Sequence, residues 1–136
     1  MPNVEKLDIV YMNIAGEVSQ LSKAKRKKVG AIIVKDNNIL SFGYNGTPSG
    51  FDNTCEENNK TKWYVLHAES NAIAKVAKST NSSEGSTLYC TLSPCKECSK
   101  LIVQAGVNKV VYKDVYEGST EGLDLMKELG IEIIKI

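Results

Sequence analysis

The chain has 136 residues, 42% of them hydrophobic and 24% charged, with a net charge of +1. That length suits one domain with its own core, residues 1–136, and the near-neutral balance gives no general pull toward nucleic acid or a membrane surface. No apolar run reaches the roughly 18 residues a membrane span needs, and "MPNVEKLDIVYMN" lacks the basic and apolar regions of a signal peptide, so the expected setting is the cytoplasm, where thiols stay reduced.

In chain order, the first expected element is a helix in "VEKLDIVYMNIAGEVSQLS". There Leu7, Val10, Tyr11, Ile14, Val18 and Leu21 recur at three- and four-residue steps and form one apolar face. A basic run, Lys23 to Lys28, places five charges in six residues. "VGAIIV" and "ILSFGY" read as strands joined by the hairpin-type turn "KDNN". From Asn45 to Lys62 the chain is rich in Gly, Asn, Thr and Asp and reads as a long loop, and a loop that long inside a compact domain is usually functional or disordered. A helix over 67–79, a strand over 86–92 and a helix over 95–105 stopped by Gly106 follow. "KVVY" is a strand, "STEGLDLMKELG" a helix capped by Ser119 and stopped by Gly130, and "IEIIKI" a last strand. Alternation in the second half implies right-handed crossovers and parallel pairing, while the hairpin makes the first pair antiparallel. The expected fold class is α/β, three layers α/β/α with a mixed five-stranded sheet and helices on both faces.

His67 is the only histidine. "HAE" (67–69) opens one helix, and "PCKEC" (94–98) opens another after a strand. A lone C-x-x-C is ambiguous among a redox pair, half a zinc finger and two unrelated cysteines. Combined, H-x-E and P-C-x-x-C form the signature of zinc deaminases. His67, Cys95 and Cys98 supply three ligands where zinc prefers four, and an open fourth position holds water. Only Cys55 and Cys90 remain as other candidates. Cys95 and Cys98, three apart, face one way from a first helical turn. The free N–H groups and partial positive charge there favour the thiolate, the form that binds metal. Pro94 stands where its missing N–H costs nothing. Glu69 is expected to carry a proton from water to substrate; the plainer alternative is an acid placed at a helix start.

On these residues the chain resembles the cytidine deaminase superfamily. "VGAIIVKDNNILSFGYNGTPSG" and the Cys55-containing loop ahead of "HAE" resemble its deoxycytidylate (dCMP) deaminase family, from about Lys23 to the C-terminus. The resemblance implies hydrolysis of dCMP to dUMP and ammonia on the way to thymidylate. It implies a homo-oligomer, often hexameric, activated by dCTP and inhibited by dTTP. It assigns zinc to His67, Cys95 and Cys98, and gives Glu69 the proton transfers as zinc-activated water attacks C4 of cytosine. Asn45 would contact the sugar, unless Asn45-Gly46 is simply a turn dipeptide. Ala68 would serve the base through its backbone. Some relatives hold a second, structural zinc with extra histidines; none is left here, so one zinc per chain is expected, with Cys90 a buried strand cysteine.

Other assignments rest on position. Lys25 and Arg26 precede the first strand, where a phosphate would be met, although a charge run is usually a solvated stretch. Tyr112 and Tyr116 follow the fourth strand, at a C-terminal sheet edge where α/β ligands bind, with Tyr112 equally readable as a core-edge aromatic. Gly43, Tyr44, Gly46, Thr47 and Gly50 form the candidate regulatory loop, whose backbone N–H groups suit a triphosphate with Mg2+. Three competing readings stand beside this one: another deaminase of the superfamily acting on cytidine, tRNA adenosine, or a pterin or riboflavin precursor; a non-catalytic zinc-stapled binding module; and a thiol–disulfide protein. A tRNA enzyme would show a broader basic surface.

Overall fold

The computed structural model describes residues 4–116 and 120–136. Its elements are α1 (Lys6–Ser19), β1 (Gly30–Lys35), β2 (Asn38–Tyr44), β3 (Glu56–Glu57), β4 (Lys60–Thr61), α2 (Ala68–Ala77), β5 (Thr87–Leu92), α3 (Lys96–Gln104), β6 (Lys109–Asp114), α4 (Glu121–Glu128) and β7 (Glu132–Lys135). Five strands form one sheet in the order β2-β1-β5-β6-β7. β1 runs antiparallel to both β2 and β5, and β5, β6 and β7 are parallel. This is the expected mixed sheet. The hairpin turns at Asp36 and Asn37, both at positive φ (51° and 61°), the backbone that matches the twist of the flanking strands. Gly106 (φ 83°) and Gly130 (φ 86°) stop α3 and α4 as left-handed caps. The expected cap Ser119 lies outside the described residues; Thr120 is the cap of α4. No helix among the described residues is long and apolar enough to cross a membrane.

α1 covers one sheet face, packing on Ile32, Val34, Tyr89, Val111 and Ile134. Residues of α2, α3 and α4 pack over the other face, against Ala31, Ile33, Leu88 and Val110. The buried side of α1 differs from the expected apolar stripe. Asp8, Tyr11, Met12, Ala15, Val18 and Ser19 face inward, whereas Leu7, Val10 and Leu21 are 45%, 49% and 51% exposed. Two contacts set this rotation. A Cβ on Gly30 would collide with the Ala15 carbonyl, so the small side of the helix must lie on β1. Asp8 must also reach Tyr89, whose hydroxyl donates to Oδ1 at 2.6 Å, with Lys109 Nζ at 3.5 Å from the same oxygen. A buried carboxylate satisfied in this way is invisible to a count of apolar residues.

Burial alone would raise the Asp8 carboxyl, but the Tyr89 hydroxyl, the Glu5 N–H and Lys109 together hold it below its ordinary 3.8. A depressed folded-state pKa means that the stability Asp8 contributes is present above about pH 4 and is lost as pH falls through the lowered value. We expect Asp8→Asn to cost about 1–3 kcal/mol at pH 7 and much less at pH 3, read as urea midpoints. An equal loss at both pH values would show that the carboxylate charge plays no part.

The 45–62 segment contains a small hairpin, β3 paired with β4, turning through Asn58 and Asn59 at φ 53° and 62°. Two-residue strands carry no periodicity to detect. The loop is closed at its base by a backbone pair between Gly46 and Leu66, at 3.1 and 2.8 Å.

Candidate metal centre and cleft

β5 ends at Leu92, and Ser93-Pro94 lead into α3 with Cys95 as its N-cap residue; His67 is the N-cap residue of α2. Two helix N-termini therefore meet beside the sheet, and their side chains converge. His67 Nδ1 lies 3.3 Å from Cys98 Sγ and 3.4 Å from Cys95 Sγ. The three donor atoms all fall within 4.8 Å of one another. Donors of a tetrahedral zinc with N at about 2.0 Å and S at about 2.3 Å sit about 3.5 Å apart, so this set fits the ion in both chemistry and spacing. Cys90 is buried in β5 against the Val111 carbonyl, and Cys55 against that of Asn53; neither joins the cluster. All four cysteines are free thiols.

The Cys98 thiol, His67 and the Cys98 N–H all hydrogen-bond to Cys95 and hold it down, at about 3. Cys98, the partner that keeps its proton in this pair, is pushed up. The bond to Cys95 raises His67 above its ordinary 6.5. Glu69, only 4% exposed, is raised from its ordinary 4.5, first by burial. A carboxyl raised in this way beside a metal site is suited to giving and taking protons near neutral pH.

His67, Ala68, Glu69 and Cys95 line a cleft of about 370 Å³ together with Asn45, Arg26 and Tyr116. The structure thus gathers most of the residues singled out in the sequence. Lys25 is not among the lining residues; Lys27 is, and it belongs to the same basic run. Tyr112 requires a correction. It is 8% exposed and packs in the main core with Val110, Leu123 and Met126. β6 runs on to Asp114, beyond the expected end, so the strand's exit toward the cleft falls at Val115-Tyr116. Ser93 Oγ accepts the Tyr116 N–H at 2.7 Å and fixes that exit. Glu56 and Thr61 also line the cleft and carried no sequence signal, because their strands are so short.

Asn45 is more than a turn residue. Its Oδ1 accepts the Val29 N–H at 2.9 Å, and its Nδ2 donates to the Lys27 carbonyl at 2.7 Å, tying the basic run to the end of β2. Gly43 is not part of a nucleotide loop. A Cβ there would collide with the Ala68 carbonyl and the Ala72 nitrogen, so this glycine lets α2 lie close on β2 and seats Ala68. The N–H of Gly46 is taken by the Leu66 carbonyl and so does not face the loop's cavity as a free donor. Tyr44, Gly46, Thr47 and Gly50 line a second cavity of about 240 Å³ with Lys23. Gly50, at φ 91°, holds a conformation that favours glycine.

The sequence profile described as "Cytidine and deoxycytidylate deaminase zinc-binding region" matches residues 5–114. Deoxycytidylate deaminase of Enterobacteria phage T4 is 33% identical over an alignment covering 92% of this chain and 87% of the phage protein. The deoxycytidylate deaminase of Homo sapiens is 40% identical over 82% of this chain and 67% of its own length. Among solved structures, dCMP deaminase from the cyanophage S-TIM5 in complex with dCMP and dUMP superposes with a TM-score of 0.94 at 50% identity. That match covers 99% of this chain and 100% of the cyanophage chain.

Proposed function

Because the chain belongs to the cytidine and deoxycytidylate deaminase family, we propose that this enzyme hydrolyses dCMP to dUMP and ammonia, supplying dUMP for thymidylate synthesis. The observation that carries the reading is the convergence of His67, Cys95 and Cys98, of which His67 and Cys95 line a cleft together with buried Glu69, Arg26 and Lys27. The 50% identical cyanophage neighbour, named for dCMP and dUMP, supports the same substrate.

His67, Cys95 and Cys98 would hold one zinc per chain. When bound, zinc supplies the Lewis acid that makes a water nucleophilic near neutral pH. The other steps fall to side chains of this protein. Glu69, raised by burial, takes the proton from the attacking water and delivers it to N3 of cytosine; it then takes the remaining proton of the hydroxyl added at C4 and hands it to the amine, which leaves as ammonia when the C4–N bond breaks and the C4 carbonyl forms. The backbone at Ala68 borders the base. Asn45 keeps one amide hydrogen and one oxygen lone pair beyond its two backbone bonds, enough to meet a sugar hydroxyl. Arg26 and Lys27 face the phosphate, with Tyr116 beside them.

The test is substrate preference. Wild-type protein should deaminate dCMP well ahead of deoxycytidine. Reversing charge at Arg26 and Lys27 together should raise KM for dCMP about tenfold or more and leave residual deoxycytidine activity nearly unchanged. Equal activity of the wild type on both compounds would refute the phosphate assignment.

The regulatory reading is proposed in the same terms. The protein is a homo-oligomer, a hexamer by family likeness, activated by dCTP with Mg2+ and inhibited by dTTP. In support, the second cavity shares Asn45 and Cys55 with the catalytic cleft, so one segment borders both. Coupling of this kind is typically worth about 1–3 kcal/mol. The exposed Leu7, Val10 and Leu21 of the α1 segment supply apolar surface for contact between copies. The protein should elute in size exclusion as a multiple of 14.9 kDa. Its dCMP saturation curve should be sigmoidal alone and hyperbolic with dCTP and Mg2+. A curve that is hyperbolic throughout and indifferent to both triphosphates would remove regulation from the proposal.

A further inference from the structure

We infer that Glu56 and Thr61 are positioning residues that set the basic segment for phosphate recognition, and so fix how strongly a phosphorylated nucleoside is preferred over an unphosphorylated one. The inference rests on the deaminase reading above.

Glu56 Oε2 accepts two successive backbone N–H groups, from Lys25 at 2.9 Å and Arg26 at 3.2 Å. Arg26 Nη1 donates to Thr61 Oγ1 at 3.4 Å. Glu56 and Thr61 face each other as cross-strand partners of β3 and β4. One rung of this small hairpin therefore holds both the main chain and the guanidinium of Arg26. On the other side, Asn45 pins Lys27 and Val29. Between these anchors the segment 25–28 has no helix or strand of its own, and its side chains are exposed. Exposed arginine and lysine side chains lose substantial rotamer freedom when they grip a ligand. An anchor that fixes the backbone and one guanidinium nitrogen beforehand removes part of that cost.

The hairpin is itself fixed to the catalytic end. Lys62 N–H donates to the Cys55 carbonyl at 2.8 Å across its base, and the Gly46–Leu66 pair closes the whole loop one residue before His67. The span from metal ligand to cation is thus set by a short, closed piece of chain.

A carboxylate next to a phosphate site also repels the phosphate, so removing Glu56 has two opposed effects, and two variants separate them. Glu56→Ala removes both charge and acceptor, whereas Glu56→Gln removes the charge but keeps an acceptor oxygen. We expect Glu56→Ala to raise KM for dCMP about tenfold, the scale of losing hydrogen bonds to a charged group. In that variant kcat should stay within about threefold, kcat/KM for deoxycytidine should be unchanged, and zinc content should be normal. Glu56→Gln should recover most of the KM, and Thr61→Val should show a smaller rise. A fall in KM for both Glu56 variants, an equal loss on dCMP and deoxycytidine, or no change would overturn the inference. Should the wild type itself fail to prefer dCMP, the substrate reading falls and the inference is still decided by inorganic phosphate. Titration followed on the Lys25 and Arg26 amide resonances should show weaker phosphate binding in Glu56→Ala, and unchanged or tighter binding would overturn it.

Discussion

Glu69→Gln is expected to keep zinc and fold while lowering turnover by at least 10²–10⁴-fold, the usual contribution of a general acid–base group. Glu69 is buried at the first turn of α2. Glutamine fills the same volume and avoids placing an unpaired charge there, so stability should change little. What it cannot do is carry a proton. In the proposed reaction a single carboxyl accepts and delivers a proton twice, first from water to N3 and then from the hydroxyl added at C4 to the leaving amine, so the loss should sit at or beyond the upper end of that range. Two features of the site make the assignment specific. Burial raises Glu69 toward the pH at which both of its forms are accessible, and its neighbour two residues back, His67, belongs to the ligand set. Steady-state turnover of dCMP together with metal content measures both halves of the expectation. A loss smaller than tenfold would reduce Glu69 to an acid that merely complements the helix N-terminus.

Cys98→Ala is expected to remove most of the bound zinc, from about one equivalent per chain, and with it essentially all activity. Substituting a residue that only supports a ligand already costs 10–100-fold in metal affinity, and a direct ligand should exceed that. Cys98 is buried, 3.3 Å from His67 Nδ1, and its backbone N–H points at Cys95 Sγ from 3.5 Å. Its loss therefore breaks the site in two places. Cys90→Ala is the control, because Cys90 is a buried thiol outside the cluster. It should lower stability by an amount typical of a small core truncation and leave metal content unchanged. Retention of zinc by Cys98→Ala, or two tightly held equivalents in the wild type, would contradict a single three-ligand site.

The ligand set was legible because it is local. His67 and Glu69 share the start of one helix, Cys95 and Cys98 the start of another, and fixed offsets within a helical turn survive whatever the rest of the chain does. The hairpin, the stopping glycines and the strand–helix alternation were legible for the same reason, each being set by backbone preferences over a few residues. Parallel pairing of β5, β6 and β7 followed from the alternation of strands with helices in the second half of the chain.

Contacts distant in sequence decided the rest. The apolar stripe of α1 named Leu7, Val10 and Leu21, yet the helix turns to bury Asp8, because the hydroxyl of Tyr89, eighty-one residues away, satisfies its carboxylate. Tyr112 stayed open between a cleft and a core-edge reading until pairing with β5 carried β6 past residue 112. Gly43 looked like part of a loop until α2 came to lie on its bare Cα. Glu56 had no signal at all, because its hydrogen bonds to the Lys25 and Arg26 N–H groups exist only where the β3–β4 hairpin meets the basic run. The sequence by itself determined the element order and that His67, Cys95 and Cys98 stand at the starts of two helices, since those depend on covalent spacing. Only the tertiary structure decided which faces are buried and which cations border the cleft, since a side chain's surroundings are set by residues that the chain brings beside it from elsewhere.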